Sequence, residues 1–166
     1  MIRKENTGLF LITGYGDALN EKDALLMAFA QCGIEKRETI NFNSAVLKGY
    51  STYGKTLELK ENIILPVCCT SLTSNSPGTI ISACIGIGLP LHSSGFTLIE
   101  TFSSFCSQNE ALLEVERLLK ASSEQRNLEL KDLRLKCVEH TVKKCGAVVA
   151  LCPFFREEME ENGSMA

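Results

Sequence analysis

The chain has 166 residues, of which 45% are hydrophobic and 22% are charged, and its formal net charge at pH 7 is -3. This composition is typical of one globular domain. A weak negative charge without a basic cluster argues against nucleic acid as a partner. The longest apolar runs are too short for a signal peptide core or a membrane span. We therefore expect neither nucleic acid nor a membrane as a partner.

Eight cysteines are present, and most of them lie inside apolar stretches. Free cysteine in such a setting packs as a small hydrophobe. We therefore expect a reduced protein in the cytoplasm rather than a disulfide framework. The spacing of Cys137, His140 and Cys145 matches no closed zinc site, so no metal is expected.

The first elements along the chain are a strand over residues 8–14 and a helix. Gly14-Tyr-Gly16 is predicted to be a turn after the strand. Leu19 occupies the third glycine position of the dinucleotide-binding fingerprint, which argues against a nucleotide site. Asn20 is the expected N-cap of the helix, and Gly33 is its expected end.

A second strand is predicted over residues 36–47, where polar and apolar side chains alternate. Ile40, Phe42 and Val46 share one parity of this alternation, and Ser44 has the same parity. Because side chains two residues apart lie on one face of a strand, the Ser44 hydroxyl is predicted to lie on the apolar face, shielded from water.

Glu100 occupies a comparable position in the predicted strand 96–102. Its parity is that of Phe96, Leu98 and Phe102. Desolvation by such neighbours raises the pKa of a carboxyl group, which suits a general acid.

The remaining elements are predicted from apolar runs and from cap signals. Ser107 and Glu110 form a capping box that opens a second helix. Because strands outnumber helices, we expect an α+β fold, a layered α/β sandwich with mainly antiparallel sheets and few helices. Residues 1–155 are expected to form one domain, followed by a mobile tail over 156–166. The further strands are predicted over residues 63–72, 79–89, 128–138 and 146–155.

The dipeptide Asn43-Ser44 has a structural and a chemical interpretation. In the first, Ser44 is a small hydrogen-bonded residue of a strand. In the second, the Ser44 hydroxyl attacks the Asn43 carbonyl, the resulting ester undergoes β-elimination, and the dehydroalanine hydrolyses to a pyruvoyl group, an electrophile that no standard side chain provides. Glu100 likewise has a structural alternative, as a buried carboxylate satisfied by a neighbouring group. Local sequence leaves these alternatives open.

The chain also contains two longer characteristic segments, Pro77-Gly-Thr-Ile-Ile-Ser-Ala83 and Val138-Glu-His-Thr-Val-Lys-Lys144. Because of these segments, together with Ser44 and Glu100, the chain resembles the pyruvoyl-dependent arginine decarboxylases over residues 6–155. The resemblance implies that Ser44 becomes the covalent pyruvoyl cofactor and that Glu100 lies beside it as the proton donor.

The resemblance also implies an assembly and a reaction. The assembly is a homotrimer or hexamer with active sites between subunits, in which each chain is self-cleaved into residues 1–43 and 44–166. The reaction is Schiff-base formation with the α-amine of L-arginine, loss of CO2, and protonation by Glu100 to give agmatine, a step in polyamine metabolism.

Three positions differ from the family pattern. Asn43 replaces a serine or threonine, and Glu38 replaces an asparagine. Leu26 stands where the family has the helix aspartate that pairs with the substrate guanidinium. Asp23 lies three residues earlier on the same helical face, so Asp23 and Glu38 are the candidate substrate-binding carboxylates. The structural alternative for Asp23 is an acidic residue favoured in the first turn of a helix.

These differences keep other functions open. One is an unprocessed, non-catalytic homologue that acts as a scaffold or regulatory subunit. Another is a decarboxylase of a different amino acid. Cleavage at Thr70-Ser71, a similar dipeptide, is a further alternative.

Overall fold

A computed structural model of the protein describes residues 8–34, 39–48, 51–52, 65–92 and 95–154. Within these ranges the two helices are α1 (Glu21–Gln31) and α2 (Gln108–Gln125). The strands in the same ranges are β1 (Gly8–Leu9), β2 (Ile12–Ala18), β3 (Thr39–Phe42), β4 (Ser44–Lys48), β5 (Ser51–Thr52), β6 (Leu65–Ser74), β7 (Ile80–Pro90), β8 (Phe96–Ser104), β9 (Leu130–Thr141) and β10 (Cys145–Pro153).

Two four-stranded sheets form the body of the protein. Sheet I has the strand order β2-β10-β6-β3, and sheet II has the order β4-β8-β7-β9. All neighbours pair antiparallel in both sheets except β3 and β6, which are parallel. The short strands β1 and β5 form a separate parallel pair. The predicted α+β sandwich with mainly antiparallel sheets is confirmed.

The sandwich has four layers, because each sheet has a helix on its outer face. Helix α1 packs on β2 and β10 of sheet I, and α2 packs on β7, β8 and β9 of sheet II. The core between the two sheets contains Ile85, Ile99 and Val148, all fully buried. Separate apolar clusters join each helix to its sheet.

Both helices begin at the predicted caps. The Asn20 side chain accepts a hydrogen bond from the Asp23 backbone at 2.8 Å, and Ser107 accepts one from the Glu110 backbone at 3.3 Å. Gly33 follows α1 with a φ of 80°, in the left-handed region that favours glycine. Neither helix of the described ranges is long and apolar enough to cross a membrane.

The prediction of a turn at Gly14-Tyr-Gly16 is wrong, because all three residues lie inside β2. Their glycines serve the contact between β2 and α1. A methyl group added at Gly14 would collide with the Ala28 carbonyl oxygen, and one at Gly16 with that of Ala24. The glycines therefore let the helix lie directly against the strand.

The single strand predicted over residues 36–47 is also wrong. The chain forms β3 in sheet I, leaves it at Asn43, and forms β4 in sheet II. An unbroken alternation cannot reveal that the two halves of a segment belong to different sheets. The predicted tail lies outside the described residues.

Candidate active site

The link between the two sheets is one residue long at Asn43. β3 ends at Phe42, and β4 begins at Ser44. The Asn43-Ser44 peptide bond therefore lies where the chain passes from one sheet to the other, outside the regular pairing of β3.

Ser44 lies directly opposite Glu100 in the antiparallel pair of β4 and β8. Directly opposite residues project from the same face of a sheet, with Cβ atoms about 4.5–5.5 Å apart. The same row continues through Gly86 on β7 to Leu135 on β9. This is the outer face of sheet II, on which α2 packs.

In the single chain the Ser44 side chain is exposed to solvent, so the prediction of a hydroxyl shielded from water is wrong. The physical reason is its position. Ser44 is the first residue of β4, which is an edge strand of sheet II. Helix α2 packs on the other three strands of that sheet. The parity that linked Ser44 to Phe42 does not continue through the break at Asn43.

Glu100 is half-buried, and its carboxyl group has a raised pKa. Desolvation is the main cause, and the positive charge of Arg126, at the end of α2, opposes it. The predicted direction of the shift is confirmed. A carboxyl group with a raised pKa keeps its proton to higher pH than an ordinary one, which suits a proton donor.

Gly86 is the β7 residue opposite Glu100, and its lack of a side chain leaves room for apolar groups in the same row. A methyl group at Gly86 would collide with Leu135, Val115 and Leu119. These side chains fill the space above the glycine, next to Glu100 in the same row.

Thr101 contacts the other side of the Asn43-Ser44 bond. Its hydroxyl donates a hydrogen bond of 2.7 Å to the carbonyl oxygen of Asn43. Because Thr101 follows Glu100 in β8, its side chain lies on the inner face of sheet II, toward sheet I. Two consecutive residues of β8 therefore lie near the two sides of one peptide bond.

The predicted substrate-binding residues do not join this group within the chain. Asp23 and Leu26 are exposed on α1, which packs outside sheet I, whereas Glu100 faces outward from sheet II. Both sheets thus lie between Asp23 and Glu100. Asp23 also accepts a hydrogen bond of 2.9 Å from the Asn20 side-chain amide, as in its structural alternative. Glu38 lies outside the described residues.

The cysteines are free thiols, and several are strongly buried. Burial raises the pKa of Cys32 to about 11 and that of Cys69 to about 12. Such thiols stay neutral near pH 7 and are poor nucleophiles. The described residues contain no group of three or more side chains that could hold a metal ion.

Two residues near the site, Thr101 and Arg126, were not predicted from the sequence. Thr101 has the opposite parity to Glu100, and its partner Asn43 is 58 residues away. Position next to Glu100 is the one local signal that would have led to it. Arg126 acts on Glu100 through the packing of α2 on sheet II, which local patterns do not encode.

The structure thus brings together Ser44 and Glu100, the two residues to which the resemblance assigns the pyruvoyl group and the proton donor. A family model described as pyruvoyl-dependent arginine decarboxylase matches residues 8–159. The chain therefore belongs to the pyruvoyl-dependent arginine decarboxylase family. The prosthetic group of this family is a pyruvoyl group.

Curated relatives agree with this membership. A pyruvoyl-dependent arginine decarboxylase of Thermococcus kodakarensis is 28% identical over 141 residues, which cover 84% of this chain and 87% of the relative. The enzyme of the same name from Pyrococcus furiosus is 36% identical over 103 residues, 59% of this chain and 65% of the relative. That of Methanocaldococcus jannaschii is 33% identical over 93 residues, 56% of each chain. The match thus spans less than two thirds of the latter two relatives.

Proposed function

We propose that the protein is a self-processing pyruvoyl-dependent arginine decarboxylase, which converts L-arginine to agmatine and CO2. In this proposal the chain cleaves between Asn43 and Ser44 into residues 1–43 and 44–166, and Ser44 supplies the pyruvoyl group. The observation that carries it is the pairing of Ser44 with Glu100 at the crossing between the sheets. Family membership favours this catalytic function over a non-catalytic scaffold.

The position of Asn43-Ser44 supports cleavage there rather than at Thr70-Ser71. Thr70 and Ser71 lie within β6, paired with Ala150 and Val149 of β10. New chain ends at that point would interrupt an inner strand of sheet I. Cleavage after Asn43 instead separates two strands of different sheets and leaves the pairing of each intact.

A pyruvoyl group fits the surroundings of Ser44. It is no larger than the serine residue from which it is built, and Ser44 is exposed at the start of β4. A pyruvoyl ketone held at Ser44 would supply the electron-withdrawing group that decarboxylation needs. Glu100, opposite Ser44 and with a raised pKa, is the proposed donor of the proton that the α-carbon takes up after CO2 is lost.

The proposed substrate site is completed by a second subunit. Asp23 cannot reach the Glu100 side of its own chain, because the two sheets lie between them. A carboxylate on α1 can contact a substrate at Ser44 when α1 belongs to a neighbouring copy. Asp23, with Glu38, is therefore proposed to bind the substrate guanidinium across an interface between subunits, in place of the aspartate that Leu26 replaces.

Exposed apolar side chains near Ser44 support such an interface. Val46 and Phe96 are 39% and 40% exposed on the face that Ser44 shares, and Phe42, before the crossing, is 44% exposed. Outer strands that expose apolar residues are favoured sites of association. We propose a homotrimer, or a hexamer of two trimers, with the site between copies.

Release of labelled CO2 from carboxyl-labelled amino acids tests the function. The purified wild-type protein is expected to decarboxylate L-arginine to agmatine, and Ser44→Ala is expected to remain uncut and inactive. Lysine and ornithine are tested as alternative substrates, because their side chains end in an ammonium group rather than a guanidinium group. A cleaved enzyme that leaves arginine intact and turns over another amino acid would overturn the arginine assignment.

The assembly is tested separately by light scattering on the same preparation. A mass of three or six chains supports the proposed interface. Loss of activity in Asp23→Asn with a raised KM for arginine, at unchanged chain cleavage, supports binding by Asp23. An active monomer would contradict a site between subunits.

A further inference from the structure

Glu100 and Thr101 are consecutive in β8, and their side chains project from opposite faces of sheet II. Glu100 lies on the face that carries the Ser44 side chain, whereas Thr101 lies toward the interior of the sandwich. Thr101 contacts the bond that is proposed to break. Its hydroxyl donates to the Asn43 carbonyl oxygen at 2.7 Å.

The interior neighbours of Thr101 fix this part of β8. Two residues further on the same face, the Ser103 hydroxyl and the Thr70 hydroxyl are 2.7 Å apart in a hydrogen bond. Ser103 also donates to the Ser71 carbonyl at 3.4 Å. These contacts join sheet II to β6 of sheet I. Threonine is stiff at χ1, so the Thr101 hydroxyl is held in its orientation with little loss of entropy when the carbonyl changes charge.

We propose that Thr101 is a catalytic residue of chain cleavage, whose hydroxyl polarises the Asn43 carbonyl and stabilises the oxyanion formed there. This inference rests on the proposed self-processing between Asn43 and Ser44. It assigns to Thr101 a function that is separate from that of Glu100, because Thr101 contacts the bond that breaks and Glu100 faces the group that remains.

The cleavage step balances as an acyl shift from nitrogen to oxygen. The Ser44 Oγ forms a bond to the carbonyl carbon of Asn43, and the carbonyl electron pair moves onto the oxygen that Thr101 contacts. When this pair returns, the carbon–nitrogen bond breaks, and the Ser44 nitrogen takes the proton that Oγ has lost. An ester now joins Asn43 to Ser44.

The later steps need no further oxidant or reductant. Loss of the Ser44 α-proton and breakage of its Cβ–Oγ bond release Asn43 as a carboxylate and leave dehydroalanine. The dehydroalanine tautomerises to an imine, and water replaces its nitrogen, which leaves as ammonia. Negative charge develops on the oxygen contacted by Thr101 in the first step, so Thr101 is expected to act there.

Thr101→Val and Thr101→Ser provide the test, because valine keeps the shape and removes the hydroxyl while serine keeps the hydroxyl. Precursor chains are made in a cell-free system, and cleavage is followed over time by intact mass. We expect the serine variant to cleave near the wild-type rate. Removal of one preorganised oxyanion donor costs about 100- to 1,000-fold in rate, so the valine variant is expected to slow by about that factor.

Ser103→Ala is the matched control. It removes an interior hydroxyl of the same strand face, which bonds to Thr70 and Ser71 rather than to Asn43. We expect it to cleave at the wild-type rate. Slowing equal to that of Thr101→Val would mean that any loss of interior polar contacts delays cleavage, and would overturn the assigned role.

Thr101→Cys keeps the test valid if the valine variant folds poorly. A thiol is a weak hydrogen-bond donor of similar size, so the cysteine variant should cleave at a rate between those of Thr101→Ser and of Thr101→Ala, a second variant that removes the hydroxyl. Equal rates for all variants, with a cleaved wild type, would overturn the inference and leave self-processing intact. An uncleaved wild type would instead overturn the proposed function on which the inference rests.

Discussion

Ser44 and Glu100 are directly opposite residues of neighbouring antiparallel strands, at the point where the chain has just crossed from sheet I to sheet II. This pairing gives the two side chains a common face without a flexible loop between them. Sites built on strands hold their groups more firmly than sites built on loops. The pairing therefore brings together two residues that lie far apart in the sequence, as their proposed action on one substrate atom requires.

Glu100→Gln is expected to impair decarboxylation and to leave chain cleavage unchanged. General acid catalysis contributes about 100- to 10,000-fold, so kcat should fall by a factor in that range. In its proposed role Glu100 would donate its proton only in the protonated form. Its raised pKa is therefore expected to keep the wild-type enzyme active to higher pH than an ordinary carboxyl group would, with activity falling as pH rises through that pKa.

The pH profile of kcat is the measurement that checks the role of Glu100. The wild type should lose activity at its alkaline limb, and this limb should be absent from the residual activity of Glu100→Gln. Arg126→Gln offers a companion variant, because removal of its positive charge is expected to raise the Glu100 pKa further and move the limb to higher pH. An unchanged kcat in Glu100→Gln would remove its assigned role.

Gly86→Ala is expected to weaken the fold and to alter the acidity of Glu100. The added methyl group collides with Leu135, Val115 and Leu119, and overpacking of this kind costs about 1–3 kcal/mol. Displacement of these side chains admits water beside Glu100 and lowers its pKa toward the ordinary value. The alkaline limb of activity should therefore move to lower pH.

Gly88→Ala is the control for that prediction. Gly88 lies on the same face of β7, opposite Leu98 rather than Glu100, and its added methyl group would contact mainly Leu130. Urea unfolding should show a loss of stability in this variant too, while its pH profile should match the wild type. If the alkaline limb of the pH profile moves in both variants, a general loosening of the fold, rather than the environment of Glu100, determines that profile.

The sequence predicted the elements whose signals are local. Both helices begin at their expected caps, since Asn20 and Ser107 act through hydrogen bonds to residues three positions away. The raised pKa of Glu100 also followed from its alternation with apolar neighbours. Periodicity did not predict the break at Asn43, because the alternation of polar and apolar residues continues from β3 into β4 although the two strands belong to different sheets.

Contacts between distant residues explain the other failures. The hydrogen bond from Thr101 to Asn43 and the one between His140 and Asp17 join residues 58 and 123 positions apart. Neither partner has a local pattern that predicts the other. The segment Val138-Glu-His-Thr-Val-Lys-Lys144 contributed to the family resemblance. Part of this segment is held in place by hydrogen bonds to Asp17.

The Asp17 carboxylate holds the turn between β9 and β10. It accepts hydrogen bonds from the backbones of Lys143 and Lys144 at 2.8 and 2.9 Å, and its contact with His140 Nε2 measures 2.7 Å. The His140 ring stacks on Tyr15 with ring centroids 5.1 Å apart. Burial opposes ionisation of Asp17, but these hydrogen bonds outweigh it and lower the pKa to about 2.

Asp17→Asn is therefore expected to lower the free energy of unfolding at pH 7 by about 1–2 kcal/mol. The folded pKa lies below the ordinary value of 3.8, so the carboxylate stabilises the fold above that value. The stabilisation is lost as pH falls through about 2, and the difference between wild type and variant should vanish there. Urea unfolding at several pH values measures this difference.

Asp132→Asn is the control for Asp17. Asp132 pairs with Arg134 at 3.0 Å, but both side chains are largely exposed, and such pairs contribute little. We expect its free energy of unfolding to match the wild type across the same pH range. A loss in Asp17→Asn that stays constant down to pH 2 would show that the carboxylate charge is not the cause.

Intact mass of the purified wild-type protein, with and without a carbonyl-reactive hydrazine, tests chain cleavage and pyruvoyl formation together. We expect two fragments that divide between Asn43 and Ser44, with the hydrazine attached to the larger one. A single full-length mass that takes up no hydrazine would contradict self-processing at Ser44 and, with it, the proposed decarboxylase.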